Sequence, residues 1–127
     1  FHKGLLLEKL GKYDEAIECF NHAVKLNPKH LEAIYHKGRT QAHLGKYEEA
    51  ISCYDKVLEI LPNDISSMYN KAIGLSKIDK FEEAVSLFDE IISLDPTHIG
   101  ALTNRKFALS KLGLHYGTTL MKKKQML

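Results

Sequence analysis

Apolar positions recur along the chain in two alternating arrangements. Over 46–61, Tyr47, Ala50, Ile51, Tyr54, Val57, Leu58 and Leu61 fall at intervals of three and four. That spacing marks one face of an α-helix. Glu48 and Glu49 lie in its first turn, where carboxylates complement the helix dipole. Pro62 ends it, because proline cannot continue the hydrogen-bond ladder. The stretch before it, 31–44, predicts another helix with Ile34, Ala42 and Leu44 apolar and small Gly38 between them. Gly45 fits the stop of that helix, since glycine adopts the left-handed conformation cheaply. Gly11 and Gly113 hold the matching place, and so does Asp79, a residue type that tolerates this conformation. Sustained period-two alternation is absent, so strands are not expected.

The pattern repeats with a step of 34 residues. Pro28, Pro62 and Pro96, the three prolines, keep it; so do Ala16, Ala50 and Ala84, Lys12, Lys46 and Lys80, and Glu15, Glu49 and Glu83. Aromatics recur at Tyr13, Tyr47 and Phe81 and at Phe20, Tyr54 and Phe88. Small residues stand at Gly4, Gly38 and Ala72, where they let two helix backbones approach. One helical hairpin cannot cover its own apolar face; stacking the next copy on it does. The predicted fold is therefore all-α, an α-solenoid of antiparallel helix pairs. It forms one domain over 1–127, with a partial unit at 1–30, units at 31–64 and 65–98, and a degenerate unit or cap at 99–127.

These residues resemble the tetratricopeptide repeat (TPR) family, a 34-residue helix-turn-helix unit with small residues, aromatics and a closing proline in this order. The likeness runs from residue 1 to about residue 112. The "HKG" at 36–38 and the "NKA" at 70–72 resemble a variant common in microbial TPR proteins. Lys3, Lys37, Lys71 and Arg105 replace the usual leucine, and Ile34, Met68 and Leu102 fill the usual tryptophan column. Only about ten residues of the first unit's first helix are present. The fourth unit decays after Gly113: His115, Thr118 and Lys122 stand where an aromatic, an alanine and an aromatic are expected. The segment 115–127 is expected to be a short or poorly ordered helix.

The resemblance implies a protein-interaction module whose first helices line a concave groove. The groove columns would be Phe1, Tyr35, Tyr69 and Thr103; His2, His36, Asn70 and Asn104; and Leu5, Arg39, Ile73 and Phe107, with His43, Lys77 and Lys111 further along. The candidate peptide-binding residues are thus Tyr35, His36, Arg39, His43, Tyr69, Asn70, Ile73, Lys77, Thr103, Asn104, Phe107 and Lys111. TPR domains that grip the C-terminal carboxylate of Hsp70 or Hsp90 use Lys and Asn on one first helix, Asn on the next, and Lys plus Arg on the third. The corresponding residues are Phe1, Leu5, His36, Ser66 and Asn70 in one frame, and Tyr35, Arg39, Asn70, Gly100 and Asn104 in the next. Only Asn70 matches, which argues against chaperone-tail capture.

Charge sharpens the expectation. The net charge of +2 implies no nucleic-acid partner by itself. The first helices, however, carry nine Lys or Arg against two acids, Glu8 and Glu32, while the second helices carry five against twelve. An extended, acidic or carboxylate-bearing peptide would complement the first-helix face. Tyr35 and Tyr69 would supply amphipathic contact, and Asn70 and Asn104 would bond its backbone. The competing reading has Lys3, Lys37, Lys71 and Arg105 merely extending along a solvated edge.

Candidate chemistry is sparse. Cys19 and Cys53 fall in equivalent positions and read as reduced, partly buried side chains in a cytosolic protein. The seven histidines form no metal-ligand spacing. No phosphate loop and no nucleophile with a base are visible, so no catalytic residue, metal or cofactor is assigned. No apolar run reaches membrane-spanning length, and Lys122, Lys123 and Lys124 read as a solvated tail. The chain does not start with Met, as an excised piece of a longer protein would not. Alternatives to a stand-alone binding module are a substrate-recruiting or regulatory region of a larger enzyme, and homo-oligomerisation through exposed end repeats. RNA binding of the pentatricopeptide kind is disfavoured by the step of 34 rather than 35.

Overall fold

The structure is a computed structural model that describes the backbone of residues 1–126 and the side chains of residues 1–113. Its helices are α1 (His2–Lys9), α2 (Tyr13–Leu26), α3 (Leu31–His43), α4 (Tyr47–Ile60), α5 (Ile65–Lys77), α6 (Phe81–Leu94) and α7 (Ile99–Met126). No strand occurs among the described residues. Each helix packs on the next in chain order, and α3, α5 and α7 also touch in succession. The result is an all-α solenoid of helix pairs, with α3 and α4 within one residue of the stretches expected from apolar spacing.

Local chemistry sets the helix ends. Gly11 and Gly45 both have φ of 78° and Asp79 has φ of 62°. At α3 the Lys46 N–H reaches back to the Gln41 carbonyl at 2.9 Å and the Gly45 N–H to that of Ala42 at 3.0 Å. This double closure ends a helix through one left-handed residue, and α1 and α5 end the same way. The prolines follow the second helices, two residues beyond Leu26, Ile60 and Leu94. His30 and His98 begin α3 and α7, their Nδ1 atoms accepting from the N–H groups of Ala33 and Ala101 at 3.2 and 3.0 Å.

Within a pair, an aromatic ring on the second helix lies over a small residue on the first. A Cβ on Gly38 would sit 2.8 Å from Tyr54 Cε1, and one on Gly4 the same distance from Phe20 Cε1. Ala72 and Phe88 share one buried cluster with Met68, Leu75, Ala84, Ile91 and Ala101. Burying each such aromatic contributes about 1.5–3 kcal/mol.

The fourth unit departs from expectation. Gly113 does not stop its helix: α7 runs unbroken from Ile99 to Met126. Glycine permits a reversal but does not compel one; a second helix must pack back to stabilise it. Here Lys106 occupies the place of Gly4, Gly38 and Ala72. A lysine there prevents an aromatic-bearing helix from closing down as it does in the other units. The sequence expectations for His115, Thr118 and Lys122 lie outside the described side chains.

Candidate functional site

The first helices present two of the predicted columns to each other. Asn70, on α5, donates through Nδ2 to the Tyr35 hydroxyl on α3 at 2.9 Å and to the Ser66 carbonyl at 2.8 Å. Asn104, on α7, does the same with the Tyr69 hydroxyl at 3.0 Å and the Gly100 carbonyl at 2.8 Å. The carbonyls fix the amide orientation, because they can only accept. Both N–H bonds of each amide are therefore used within the protein. What each asparagine retains is the acceptor Oδ1, and what each tyrosine retains is its own O–H donor.

The α1–α3 joint is different, because Phe1 and His36 stand where the later joints have Tyr and Asn. Their rings meet edge to face at 6.1 Å. The polar contact comes instead from Glu8, whose side chain is only 10% exposed. Its Oε2 lies 3.0 Å from His36 Nδ1, and its Oε1 faces Arg39 Nε at 3.6 Å without a hydrogen bond. Beside this cluster is a hollow of about 530 Å³ lined by His2, Leu5, Leu6, Glu8, Lys9, His36, Arg39 and His43. Sequence reading counted Glu8 only as a charge. The available signal was its column, which is otherwise Ala42, Ser76 and Ser110.

The remaining predicted residues spread along the same helices. His43 stacks on Tyr13 with ring centroids 5.1 Å apart. Ile73 packs against the core of the third pair, and Lys77 and Thr103 are exposed. Phe107 is half-exposed, meets Phe81 edge to face at 6.5 Å and carries the Lys111 ammonium 5.4 Å above its ring. Lys71 and Arg105 turn away to the preceding second helices, where Lys71 pairs with Asp55 at 2.7 Å and Arg105 pairs with Asp89. The excess of positive charge counted on the first helices is thus partly cancelled. Arg39, with its side chain 42% exposed, and the exposed His43, Lys77 and Lys111 of the first helices take no part in these two pairs.

Two buried polar groups lie beneath this face. The Tyr54 hydroxyl has no hydrogen-bond partner among the described residues, and burial foremost, then the neighbouring Tyr35, pushes its pKa well above the usual phenol value. Burial likewise pushes the Cys53 thiol up; it donates to Gln41 Oε1 at 3.2 Å. Both cysteines are free thiols. Among the described residues no group of three or more His, Cys, Asp or Glu side chains converges for a metal ion.

The arrangement has known counterparts. The first TPR of Spaghetti (RPAP3), bound to the HSP90 peptide SRMEEVD, superposes with a TM-score of 0.84 at 21% identity, over 88% of this chain and 89% of that one. The second TPR domain of human RPAP3, in complex with the HSP70 peptide SGPTIEEVD, gives 0.79 at 20% identity over 84% and 89%. MamA from Desulfovibrio magneticus RS-1 gives 0.80 at 23% identity over 97% and 72%. At these identities the likeness is one of fold. No curated protein sequence matches the chain. A PPR repeat profile matches residues 72–95. The tetratricopeptide repeat profile matches residues 1–65, more than half of the 127, and the chain belongs to the tetratricopeptide repeat family.

Proposed function

We propose that the chain is a non-enzymatic protein-interaction module that holds an extended, acidic segment of a partner along the face of α3, α5 and α7. The observation that carries this reading is the recurring Tyr–Asn pair. It leaves one hydroxyl donor and one amide acceptor per joint, at Tyr35 and Asn70 and again at Tyr69 and Asn104. An extended backbone offers carbonyls and N–H groups in alternation, which such a row can meet one unit at a time. Arg39, His43, Lys77 and Lys111 favour carboxylates on the bound segment. The peptides in two structurally similar complexes, SRMEEVD and SGPTIEEVD, are themselves acidic.

The test is calorimetric titration with a nine-residue peptide rich in Glu and Asp, and with its Gln/Asn twin, at low and high salt. The acidic peptide should bind more tightly, lose affinity with salt, and bind less well to Tyr35→Phe and Asn70→Ala variants. Equal affinity for the two peptides, indifferent to salt and to both substitutions, would refute the assignment.

A further inference from the structure

The far side of α7 differs from the groove side. Ile99, Leu102, Lys106, Leu109 and Gly113 follow one another at intervals of three and four and so share one face of the helix. In the complete units, the matching positions lie under the unit's own second helix. Ile34 packs with Cys53 and Val57 of α4, and Met68 and Leu75 with Phe88 and Ile91 of α6. On α7 no second helix among the described residues covers them: Ile99 is 77% exposed, and Leu102 and Leu109 are each 39% exposed. A Cβ on Gly113 would meet open space. Lys106 sits at the centre of this face, is exposed, and makes no ion pair among the described residues.

We propose that this face is a second docking site, separate from the groove, for an acidic amphipathic helix of another protein. The helical form follows from the complete units, in which the same three- and four-residue row is the seat of a helix. The acidic character follows from charge: Lys106 lies exposed and without an ion pair among the described residues at the centre of the face, and no Asp or Glu occurs in the sequence after Asp95. A helix covering Leu102 and Leu109 buries Lys106 between them, and a buried ammonium requires a carboxylate opposite. The native second-helix pattern cannot serve. It would place an aromatic such as Phe88 against Lys106 instead of Ala72. A partner helix of about three turns, with a Glu flanked by apolar residues, fits where the chain's own pattern does not.

The test uses a synthetic peptide with the α6 sequence, Phe81–Leu94, constrained as a helix through its outer face. It is made in the native form and with Phe88→Glu. The Phe88→Glu peptide should bind the full chain at least tenfold more tightly than the native peptide. Amide shifts should centre on Leu102, Lys106 and Leu109. A Lys106→Ala protein, confirmed folded by circular dichroism, should reverse the preference. Several results would overturn the proposal: binding of neither peptide, equal binding of both to both proteins, or shifts confined to α3 and α5. So would sedimentation showing a dimer whose Lys106→Glu variant is monomeric, since that makes a second copy the occupant.

Discussion

Asn70 and Tyr35, 35 residues apart, are joined by a hydrogen bond of 2.9 Å, and Asn104 and Tyr69 repeat it at 3.0 Å. The bond links one column of the repeat to the neighbouring column of the next unit. It is therefore a contact between units and not within one.

That placement predicts an energetic coupling. Tyr35→Phe and Asn70→Ala should each destabilise the chain by about 0.5–1.5 kcal/mol, the usual net worth of such a bond. The double variant should cost about 1 kcal/mol less than the two losses added together, because one bond cannot be lost twice. Urea unfolding of the four proteins measures this; strictly additive losses would mean that the bond contributes nothing.

Tyr54 predicts a gain. Units one and three place Phe20 and Phe88 at its position, both fully buried, whereas the Tyr54 hydroxyl is buried without a partner among the described residues. Tyr54→Phe should stabilise the chain by about 1 kcal/mol, since an unsatisfied buried hydroxyl is removed without changing ring volume. A rise in the urea midpoint with an unchanged slope is the expected observation.

The two helix-ending turns of opposite composition predict opposite signs. Gly45 has φ of 78°, so Gly45→Ala should cost about 1 kcal/mol. Asp79 holds φ of 62° with a side chain, so Asp79→Gly should gain about 0.5 kcal/mol after the looser unfolded chain is counted. Thermal unfolding of both variants checks the pair.

The thiols should differ in reactivity. Cys53 is buried, bonded to Gln41, and its burial disfavours the thiolate, while Cys19 is only half-buried. Under native conditions, iodoacetamide should modify Cys19 well before Cys53, and mass spectrometry of digested protein at timed intervals would show the order. Simultaneous labelling would mean that the α3–α4 pair opens readily.

The architecture was legible because a 34-residue step writes each packing role many times. Ala16, Ala50 and Ala84, or Gly11, Gly45 and Asp79, announce close approaches and left-handed turns whose physics is local. The site was legible only as a set of columns. Tyr35 and Asn70 were both picked out, but as independent contacts for a ligand, with each asparagine amide expected both to donate and to accept. Comparing equivalent positions cannot show a bond between one column and the next. Glu8 escaped because it is the lone charge in its column, beside Ala42, Ser76 and Ser110, whereas the step brings out residue types that recur. The unbroken α7 escaped for a related reason: Gly113 preserves the signal to turn, while the failure lies in Lys106, whose effect appears only when a facing helix is brought near.

The joints between successive first helices are not alike. Two are clasped by neutral bonds, and the α1–α3 joint is held by Glu8 against His36 and Arg39. Dissolved ions weaken charged contacts far more than neutral ones. Salt therefore acts chiefly on the more exposed Lys71–Asp55 and Arg105–Asp89 pairs, which tie α5 and α7 to the preceding second helices, while the Tyr–Asn clasps and the nearly buried Glu8 cluster keep their grip.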